Sequence, residues 1–312
     1  MSDPHVAAFH DPDTGALTYL VTELDSGLSA VIDPILDLDL ASGRIETRSA
    51  DRVAETIERD GLRVLYTLDT HVHADHLTGL DYFRLHFGAR TGIGGRIVDM
   101  QKTLRDRFHD EETLAADGSQ YDMVFEPDER LALGGLEIRV LHTPGHTPGC
   151  VSYLIGDALF VGDLLFQPDA GTARCDFPGG SAETLYESIQ TIYRTLPGST
   201  RVFTGHDYRP GGRPLRYVST LAEQMASNVQ VRLETERGAF ARMRRERDAT
   251  LGQPRLILPS LQWNVRAGHF PGGQSTVFLK LPLQRPSTLV DGPCHEGRFE
   301  SASTDARRAN TP

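Results

Sequence analysis

The sequence predicts an α/β fold, because short apolar runs typical of strands alternate with segments of helical periodicity along most of the chain. The chain has 312 residues, of which 39% are hydrophobic and 24% are charged, as is usual for globular proteins. Single α/β domains of about 200–250 residues are common. We therefore expect one domain over residues 1–290, followed by a disordered tail over residues 291–312 that is rich in Ser, Arg, Asp and Gly.

In the first half of the chain, three strands and two helices are predicted between turn residues such as Gly27 and Gly61. They are, in order, the strands Leu17–Thr22 and Leu28–Ile32, a helix with an N-cap at Ser49 that ends at Arg59, the strand Arg63–Leu68 and the helix Leu77–Phe87. Residues 96–128 are charged and weakly periodic, and we interpret them as an insertion that contains a helix and a loop.

In the second half, a hairpin is predicted where the Gly156-Asp157 turn separates two apolar runs. The predicted elements are the strand Leu136–Leu141, the hairpin strands Val151–Ile155 and Ala158–Val161, a helix with an N-cap at Ser181 that ends near Thr195, and the strand Arg201–Thr204. Residues 215–290 are expected to form a helical and extended C-terminal extension. The charged residues toward Arg247 are interpreted as a solvated helix face.

Histidine and aspartate residues crowd the segment that directly follows the strand Arg63–Leu68. Four potential metal ligands occur there in an H-x-H-x-D-H order, namely His71, His73, Asp75 and His76. Imidazole and carboxylate groups suit Zn, Fe or Mn. A polar surface loop is the alternative interpretation, but chance rarely adds an aspartate and a third histidine directly after an apolar strand.

Three further residues of ligand type follow three other predicted strands. His146 comes after Leu136–Leu141, Asp163 after Ala158–Val161, and His206 after Arg201–Thr204. Strands of α/β proteins commonly present functional residues at one edge, on the loops that follow them. We therefore expect all seven side chains to converge on one metal site.

Charge and composition exclude several classes of partner. The net charge of −11 argues against a nucleic-acid-binding protein, which would show a basic surface. No apolar run approaches the roughly 18 residues of a membrane helix. Since the N-terminus lacks the features of a signal peptide and three cysteines form no paired framework, the expected location is the cytoplasm.

Short motifs around the ligand-type residues resemble those of the metallo-β-lactamase superfamily. They are THVHADHLTG from Thr70, TPGHTPG from Thr143, FVGD from Phe160 and GHD from Gly205, and the resemblance extends over about residues 17–233. It implies an αβ/βα sandwich of two mixed sheets flanked by helices, with the site at one edge of the sheets.

Other segments are similar to one group within that superfamily, the persulfide dioxygenases, which include the sulfur dioxygenases similar to the human ethylmalonic-encephalopathy protein. The segments are Gly171–Phe177, Thr184–Ser188, Leu196–Gly198 and Gly205–Tyr208, while Leu258–Gly268 resembles a bacterial branch often named β-lactamase-like hydrolase. The resemblance implies oxidation of glutathione persulfide with O₂ and water to glutathione and sulfite, in sulfide detoxification.

The same resemblance implies one Fe(II) per chain, held by two histidines and one aspartate. Carried over to this sequence, these ligands and catalytic residues are His71, His146 and Asp163. This 2-His-1-carboxylate arrangement leaves open positions for O₂ and substrate sulfur. The remaining four residues, His73, Asp75, His76 and His206, would then orient water or the iron ligands.

Two other functions stay open on the sequence. All seven residues are also the set that glyoxalase II uses to hold two metals, so a dinuclear zinc thioester hydrolase is the first alternative. A metal-bearing module that binds or senses sulfur compounds is the second. Purely structural metal sites are usually closed by four protein ligands, which argues against it. The sequence also leaves the oligomeric state open, with a homodimer as one alternative.

Two residues are candidates for substrate binding. Arg174 matches the arginine of the family's glycine-to-phenylalanine segment, and its guanidinium can bind a carboxylate of glutathione with two parallel hydrogen bonds. A structural ion pair with Asp176 is the alternative. Tyr208 can donate a hydrogen bond to substrate or be a core tyrosine. For Cys175, the interpretation as a small buried hydrophobe is preferred to uptake of sulfane sulfur.

Overall fold

The N-terminal part of the chain forms a six-stranded mixed sheet. The computed structural model describes residues 3–270 and 276–283, so the tail predicted over residues 291–312 lies outside the described residues. In order across the sheet, the strands are β1 (His5–His10), β2 (Leu17–Glu23), β3 (Leu28–Ile32), β6 (Arg63–Leu68), β8 (Arg90–Gly94) and β9 (Met123–Phe125). The pairs β1–β2 and β2–β3 are antiparallel, whereas β3–β6, β6–β8 and β8–β9 are parallel.

A second six-stranded mixed sheet follows in the chain. Its strands are, in spatial order, β10 (Arg130–Leu133), β11 (Leu136–His142), β12 (Val151–Ile155), β13 (Ala158–Phe160), β14 (Arg201–Phe203) and β15 (Val218–Thr220). Only the pair β13–β14 is parallel. A short third sheet contains β4 (Ile35–Asp39), β5 (Arg44–Glu46) and β7 (Leu77–Thr78).

The two large sheets bury one apolar core between them. Tyr19 and Ile32 of the first sheet pack in one cluster with Tyr153 and Phe160 of the second. Alternate residues of the same strands point to the opposite faces, as the pleat of a strand requires. Leu20 and Val31 thus pack outward against a helix, and so does Leu159 on the other sheet.

Helices cover both outer faces of the sheets. They are α1 (Arg48–Arg59), α2 (Leu80–Phe87), α3 (Ile97–Phe108), α4 (Ala182–Thr195), α5 (Leu221–Ser227), α6 (Arg237–Asp248) and α7 (Ile257–Asn264). The first three and α7 pack on the first sheet, and α4, α5 and α6 pack on the second. This arrangement confirms the predicted αβ/βα sandwich of two mixed sheets flanked by helices.

Some predicted boundaries differ from the structure. Ser49 lies inside α1 and donates its hydroxyl to Asp37, so it is not the N-cap. The chain over Leu77–Thr78 is a strand because its backbone pairs with β4, and α2 therefore begins later than predicted. The segment 96–128 contains α3 and ends in β9, which pairs with β8. Whether this segment is an insertion stays a prediction, as do the domain limits.

The fold brings the ends of four strands to one edge. The Gly205 amide, after β14, bonds to the carbonyl of Gly162, after β13. The Val151 amide bonds to the carbonyl of Thr70, which follows β6. No helix within residues 3–270 and 276–283 is long and apolar enough to span a membrane.

Candidate metal centre

Three side chains from three different strand ends meet in one cluster. His71 follows β6, His146 follows β11, and Asp163 follows β13; their candidate ligand atoms all lie within 4.8 Å of one another. His146 Nε2 is 3.6 Å from Asp163 Oδ2. Asp163 Oδ1 is buried and has no hydrogen-bond partner among the described residues. Because a buried carboxylate oxygen is rarely left without a partner, this cluster fits a metal ion.

Hydrogen bonds fix which nitrogen of each imidazole is available to a metal. His146 Nδ1 lies 2.7 Å from the main-chain oxygen of Arg174, which can only accept, so Nδ1 donates and Nε2 keeps its lone pair. Thr70 donates its hydroxyl proton to Asp33 Oδ2 at 2.9 Å and is therefore left to accept from His71 Nδ1 at 3.0 Å. Both rings thus present an unprotonated Nε2 for metal binding.

Burial also keeps the imidazoles of His71 and His73 neutral. It lowers the pKa of His71 and of His73 well below the ordinary histidine value, because desolvation disfavours the charged ring. A neutral imidazole is the form that binds a metal. Gly162 contributes by close approach: it has a φ of +49°, and a Cβ there would lie 2.3 Å from Thr70 Oγ1. A larger residue at position 162 would therefore displace the hydroxyl that orients His71.

Asp33 organises the metal-ligand loop, residues 70–78, through the hydrogen bonds of its side chain. Its Oδ1 accepts the Thr70 amide at 2.7 Å and lies 3.1 Å from His73 Nε2, while Oδ2 accepts the Thr70 hydroxyl. Burial raises the pKa of this carboxyl, and the bonds from Thr70 oppose that rise. Asp33 itself adopts a positive φ of 51°, which the bonds on its side chain help to hold.

We expect Asp33→Asn to weaken metal binding by about 10–100-fold, the usual cost of losing a group that orients a metal-bound histidine. The amide nitrogen that replaces Oδ2 would donate to Thr70, whose hydroxyl would then donate to His71 Nδ1. That change moves the ring proton of His71 to Nε2 and blocks its lone pair. Metal affinity in competition with a chelator is the measurement.

A matched control for this substitution is Asp37→Asn. Asp37 also accepts one main-chain amide and one hydroxyl, both from Ser49, but lies outside the metal-ligand loop. The Asp37→Asn variant should be less stable than the parent protein but keep its metal affinity. Equal metal affinities for the Asp33 variant and the parent protein would contradict the orienting role of Asp33.

A second group of ligand atoms lies beside the first. His73, Asp75 and His76 also offer ligand atoms within 4.8 Å of one another. His206 Nε2 is 3.6 Å from Asp75 Oδ2 and 3.5 Å from Asp163 Oδ1. His73 Nδ1 and His76 Nε2 are buried without a hydrogen-bond partner among the described residues. The chain therefore has donor atoms for two metal ions, and all seven ligand-type residues converge as the sequence predicts.

A cavity of about 610 Å³ opens onto the first cluster. This volume is within the usual range of small-molecule sites. The cavity is lined by His71, His146, Asp163, Asp75 and His206, whereas His73 and His76 do not line it. Phe166, Phe177 and Tyr208 add aromatic surface to its wall. A substrate in this cavity therefore reaches the His71–His146–Asp163 cluster directly.

Both predicted substrate-binding residues line the cavity. Arg174 forms a two-bond ion pair with Asp176, at 2.6 Å for each bond, and its third nitrogen donates to the carbonyl of Gly252. The structure thus contains the ion pair that was the alternative interpretation, and substrate anchoring by Arg174 stays a prediction. Tyr208 is 58% exposed and stacks on His206 with 5.2 Å between ring centroids. Its substrate contact also stays a prediction.

Cys175 is buried and its main-chain amide donates to Asp248. Burial raises the pKa of its thiol, so the reactive thiolate is disfavoured. These properties are those of the small buried hydrophobe that the sequence favoured.

Sequence reasoning missed four residues around the site. Asp33 and Asn264 bond to the metal-ligand loop, and Arg247 and Arg255 line the cavity. A sequence signal existed for Asn264 alone, because it lies in the segment that resembles the bacterial branch. Arg247, which the sequence places on a solvated helix face, is exposed and also lines the cavity.

Comparison with known proteins agrees with this geometry. The family model of the metallo-β-lactamase superfamily matches residues 11–206. A β-lactamase hydrolase-like protein of Agrobacterium fabrum is 46% identical over 282 residues, which are 90% of this chain and 65% of that protein. The chain thus spans just under two thirds of the length of that relative.

Two further relatives bear names of different activities. Glyoxylase B2 of Dictyostelium discoideum is 41% identical over 282 residues, or 89% of this chain and 96% of that protein. The human mitochondrial persulfide dioxygenase ETHE1 is 31% identical over 228 residues, or 72% of this chain and 75% of that protein.

The fold has a close counterpart among solved structures. The crystal structure of ETHE1 from Myxococcus xanthus superimposes with a TM-score of 0.67 and 28% identity, and the match covers 85% of this chain and all of that one. The chain therefore belongs to the metallo-β-lactamase superfamily, and persulfide dioxygenases and β-lactamase hydrolase-like proteins are among its relatives.

Proposed function

We propose that this protein is a persulfide dioxygenase that uses one Fe(II), held by His71, His146 and Asp163, to oxidise glutathione persulfide. The observation that supports this proposal best is that these three side chains line the cavity, while His73 and His76 do not. One ion at this cluster, which borders the cavity, would meet both the substrate and O₂. The kinship with human persulfide dioxygenase supports the same reaction.

In the proposed reaction, glutathione persulfide, O₂ and water give glutathione and sulfite. Both oxygen atoms of O₂ go to the outer sulfur, and water cleaves the sulfur–sulfur bond so that the inner sulfur leaves as the thiol. Iron, when bound, supplies the redox chemistry, since a 2-His-1-carboxylate site leaves adjacent positions open. The protein holds the rings of His71 and His146 in place through Thr70 and the main chain of Arg174, and aromatic side chains line the cavity.

Thioester hydrolysis with two zinc ions is the second candidate. The group formed by His73, Asp75 and His76, with two buried nitrogen atoms that lack partners among the described residues, favours a second ion. The relative named glyoxylase B2 adds weight to it. In such an enzyme all seven side chains would bind metal, and a hydroxide activated by the metals would attack the thioester carbonyl.

Metal analysis of protein purified without air, together with oxygen uptake, distinguishes the two candidates. We expect about one iron per chain and O₂ consumption that depends on glutathione persulfide, because O₂ activation needs a redox-active ion. Two tightly bound zinc ions, with cleavage of a glutathione thioester in the absence of O₂, would overturn the proposal. A cytoplasmic location and the oligomeric state, including a homodimer, stay predictions.

A further inference from the structure

Three charged side chains of the cavity wall, Arg174, Arg244 and Asp169, are already paired with residues behind the wall. Arg174 pairs with Asp176, and Asp169 pairs with Arg213. Arg244 pairs with Asp248 at 2.7 Å and also donates to the carbonyl of Thr172. These arginines hold the wall together. They leave no positive charge uncompensated for an incoming anion.

Three charged residues of the wall are different. Arg247, Arg255 and Asp13 line the cavity, are exposed, and make no side-chain hydrogen bond or ion pair with any residue in the described ranges. Arg247 lies in the last turn of α6, Arg255 precedes α7, and Asp13 follows β1. Apart from the metal-ligand carboxylates Asp75 and Asp163, the unpaired charge of the wall is therefore two positive and one negative.

A thiol tripeptide such as glutathione carries the complementary set of charges, because it has two carboxylates and one ammonium group at neutral pH. Guanidinium groups bind carboxylates through two parallel hydrogen bonds. The net charge of the chain is −11, so an anionic substrate needs local arginines to enter the cavity.

We propose that Arg247 and Arg255 bind the two carboxylates of the glutathione part of the substrate, while Asp13 binds its ammonium group. This inference rests on the proposed function for the identity of the substrate. Arg247 and Arg255 select the carrier of the persulfide and act on substrate binding. Arg174 is already paired with Asp176, so this assignment does not use it, and its own substrate contact stays a prediction.

Calorimetry with S-methylglutathione, which cannot be oxidised to sulfite, tests the site without the reaction. We expect Arg247→Gln and Arg255→Gln each to raise the Kd about tenfold, because each removes one charge-assisted pair that is partly screened by solvent. Arg255→Lys should lose part of the affinity, since an ammonium group cannot form the two-bond fork. Asp13→Asn should weaken binding less than the arginine substitutions.

A matched control is Arg242→Gln. Arg242 is exposed on the same helix, α6, but does not line the cavity, so its Kd should equal that of the parent protein. The diethyl ester of S-methylglutathione, which lacks both carboxylates, should bind the parent weakly. The Kd of this ester should be the same for the two Gln variants as for the parent protein, because the ester has no carboxylates for the arginines to bind.

The outcomes separate this inference from the proposed function. If both Gln variants bind S-methylglutathione as the parent protein does, or if the parent protein does not bind it, the carboxylate site is wrong. Variants that lose affinity in a protein without persulfide-dependent O₂ uptake would support the carboxylate site and overturn the dioxygenase. If the parent protein consumes O₂ with glutathione persulfide and the variants bind S-methylglutathione as tightly as the parent, the dioxygenase is supported and the carboxylate site is wrong.

Discussion

Replacement of Asp163 by alanine is expected to abolish metal retention and turnover together. Asp163 is the only carboxylate in the cluster with His71 and His146, and without it two neutral rings remain. The loss of affinity should exceed the roughly 10–100-fold cost of removing a group that only orients a ligand. Metal content after dialysis and O₂ uptake with glutathione persulfide are the two measurements.

Thermal unfolding gives a third measurement that does not depend on activity. Binding of a metal to the folded state alone stabilises it, so the melting temperature of the parent protein should rise when iron is added. The Asp163→Ala variant should show no such rise. Without metal the variant should be about as stable as the parent protein, because the Asp163 side chain has only contacts of 3.5 and 3.6 Å, with His206 and His146, to lose.

Asp169→Ala is the matched control for this substitution. Asp169 lines the same cavity but pairs with Arg213 and is absent from the ligand cluster, so its metal content should be normal. An Asp163→Ala protein that keeps a full complement of iron and full turnover would show that the ligand assignment is wrong.

Local signals in the sequence were sufficient for many elements. Helix α4 begins after Ser181 and ends at Thr195 as predicted, because the Ser181 hydroxyl accepts the amide of Thr184 within its own first turn. The strands Leu28–Ile32 and Arg63–Leu68 have their predicted bounds, since each is a short, mostly apolar run that follows a turn residue, Gly27 or Gly61.

Elements that depend on distant partners were not predictable in this way. The three-residue strand β9 exists because it pairs in parallel with β8, and three apolar residues are too short a run to predict a strand. The two-residue strand β7 likewise forms by pairing with β4. Neither partner can be identified from the local sequence.

The same distinction applies to the site. The seven ligand-type residues were predictable because they follow strands that meet at one edge. Asp33 contacts Thr70 across 37 positions of the chain, and Asn264 contacts Thr78 across 186. The Asn264 side chain bonds to main-chain atoms, which have no residue type of their own to recognise in a sequence. Asp33 bonds to one main-chain amide and to the side chains of Thr70 and His73, which are distant from it in the chain. Only the three-dimensional structure shows which polar side chain is the partner of a given main-chain group.

Asn264 connects the C-terminal helix α7 to the metal-ligand loop. It is fully buried, its Nδ2 donates to the main-chain oxygens of His73 and His76 at 2.8 and 2.9 Å, and its Oδ1 accepts the Thr78 amide at 2.7 Å. One side chain thus satisfies two carbonyls of the H-x-H-x-D-H segment and one amide just after it. The segment that contains Asn264 therefore supports the site directly.

We expect Asn264→Ala to reduce the free energy of unfolding by about 3–5 kcal/mol, because three buried main-chain groups would lose their partner. It should also weaken metal binding, since the loop that positions His71 would relax. Asn264→Asp should be no milder, because a carboxylate cannot donate to the carbonyls of His73 and His76. Chemical denaturation and metal competition measure the two effects separately.

Asn228→Ala is a control with matched chemistry. Asn228 is also buried, donates to Gly171 and Gln224, and accepts the amides of Gln230 and Val231, but it makes no contact with the metal-ligand loop. Its substitution should destabilise the fold to a similar extent and leave the metal affinity of the folded protein unchanged. Asn264→Ala is expected to change both. If it lowers stability as Asn228→Ala does and retains the metal affinity of the parent protein, α7 supports the core of the fold and has no part in positioning the metal ligands.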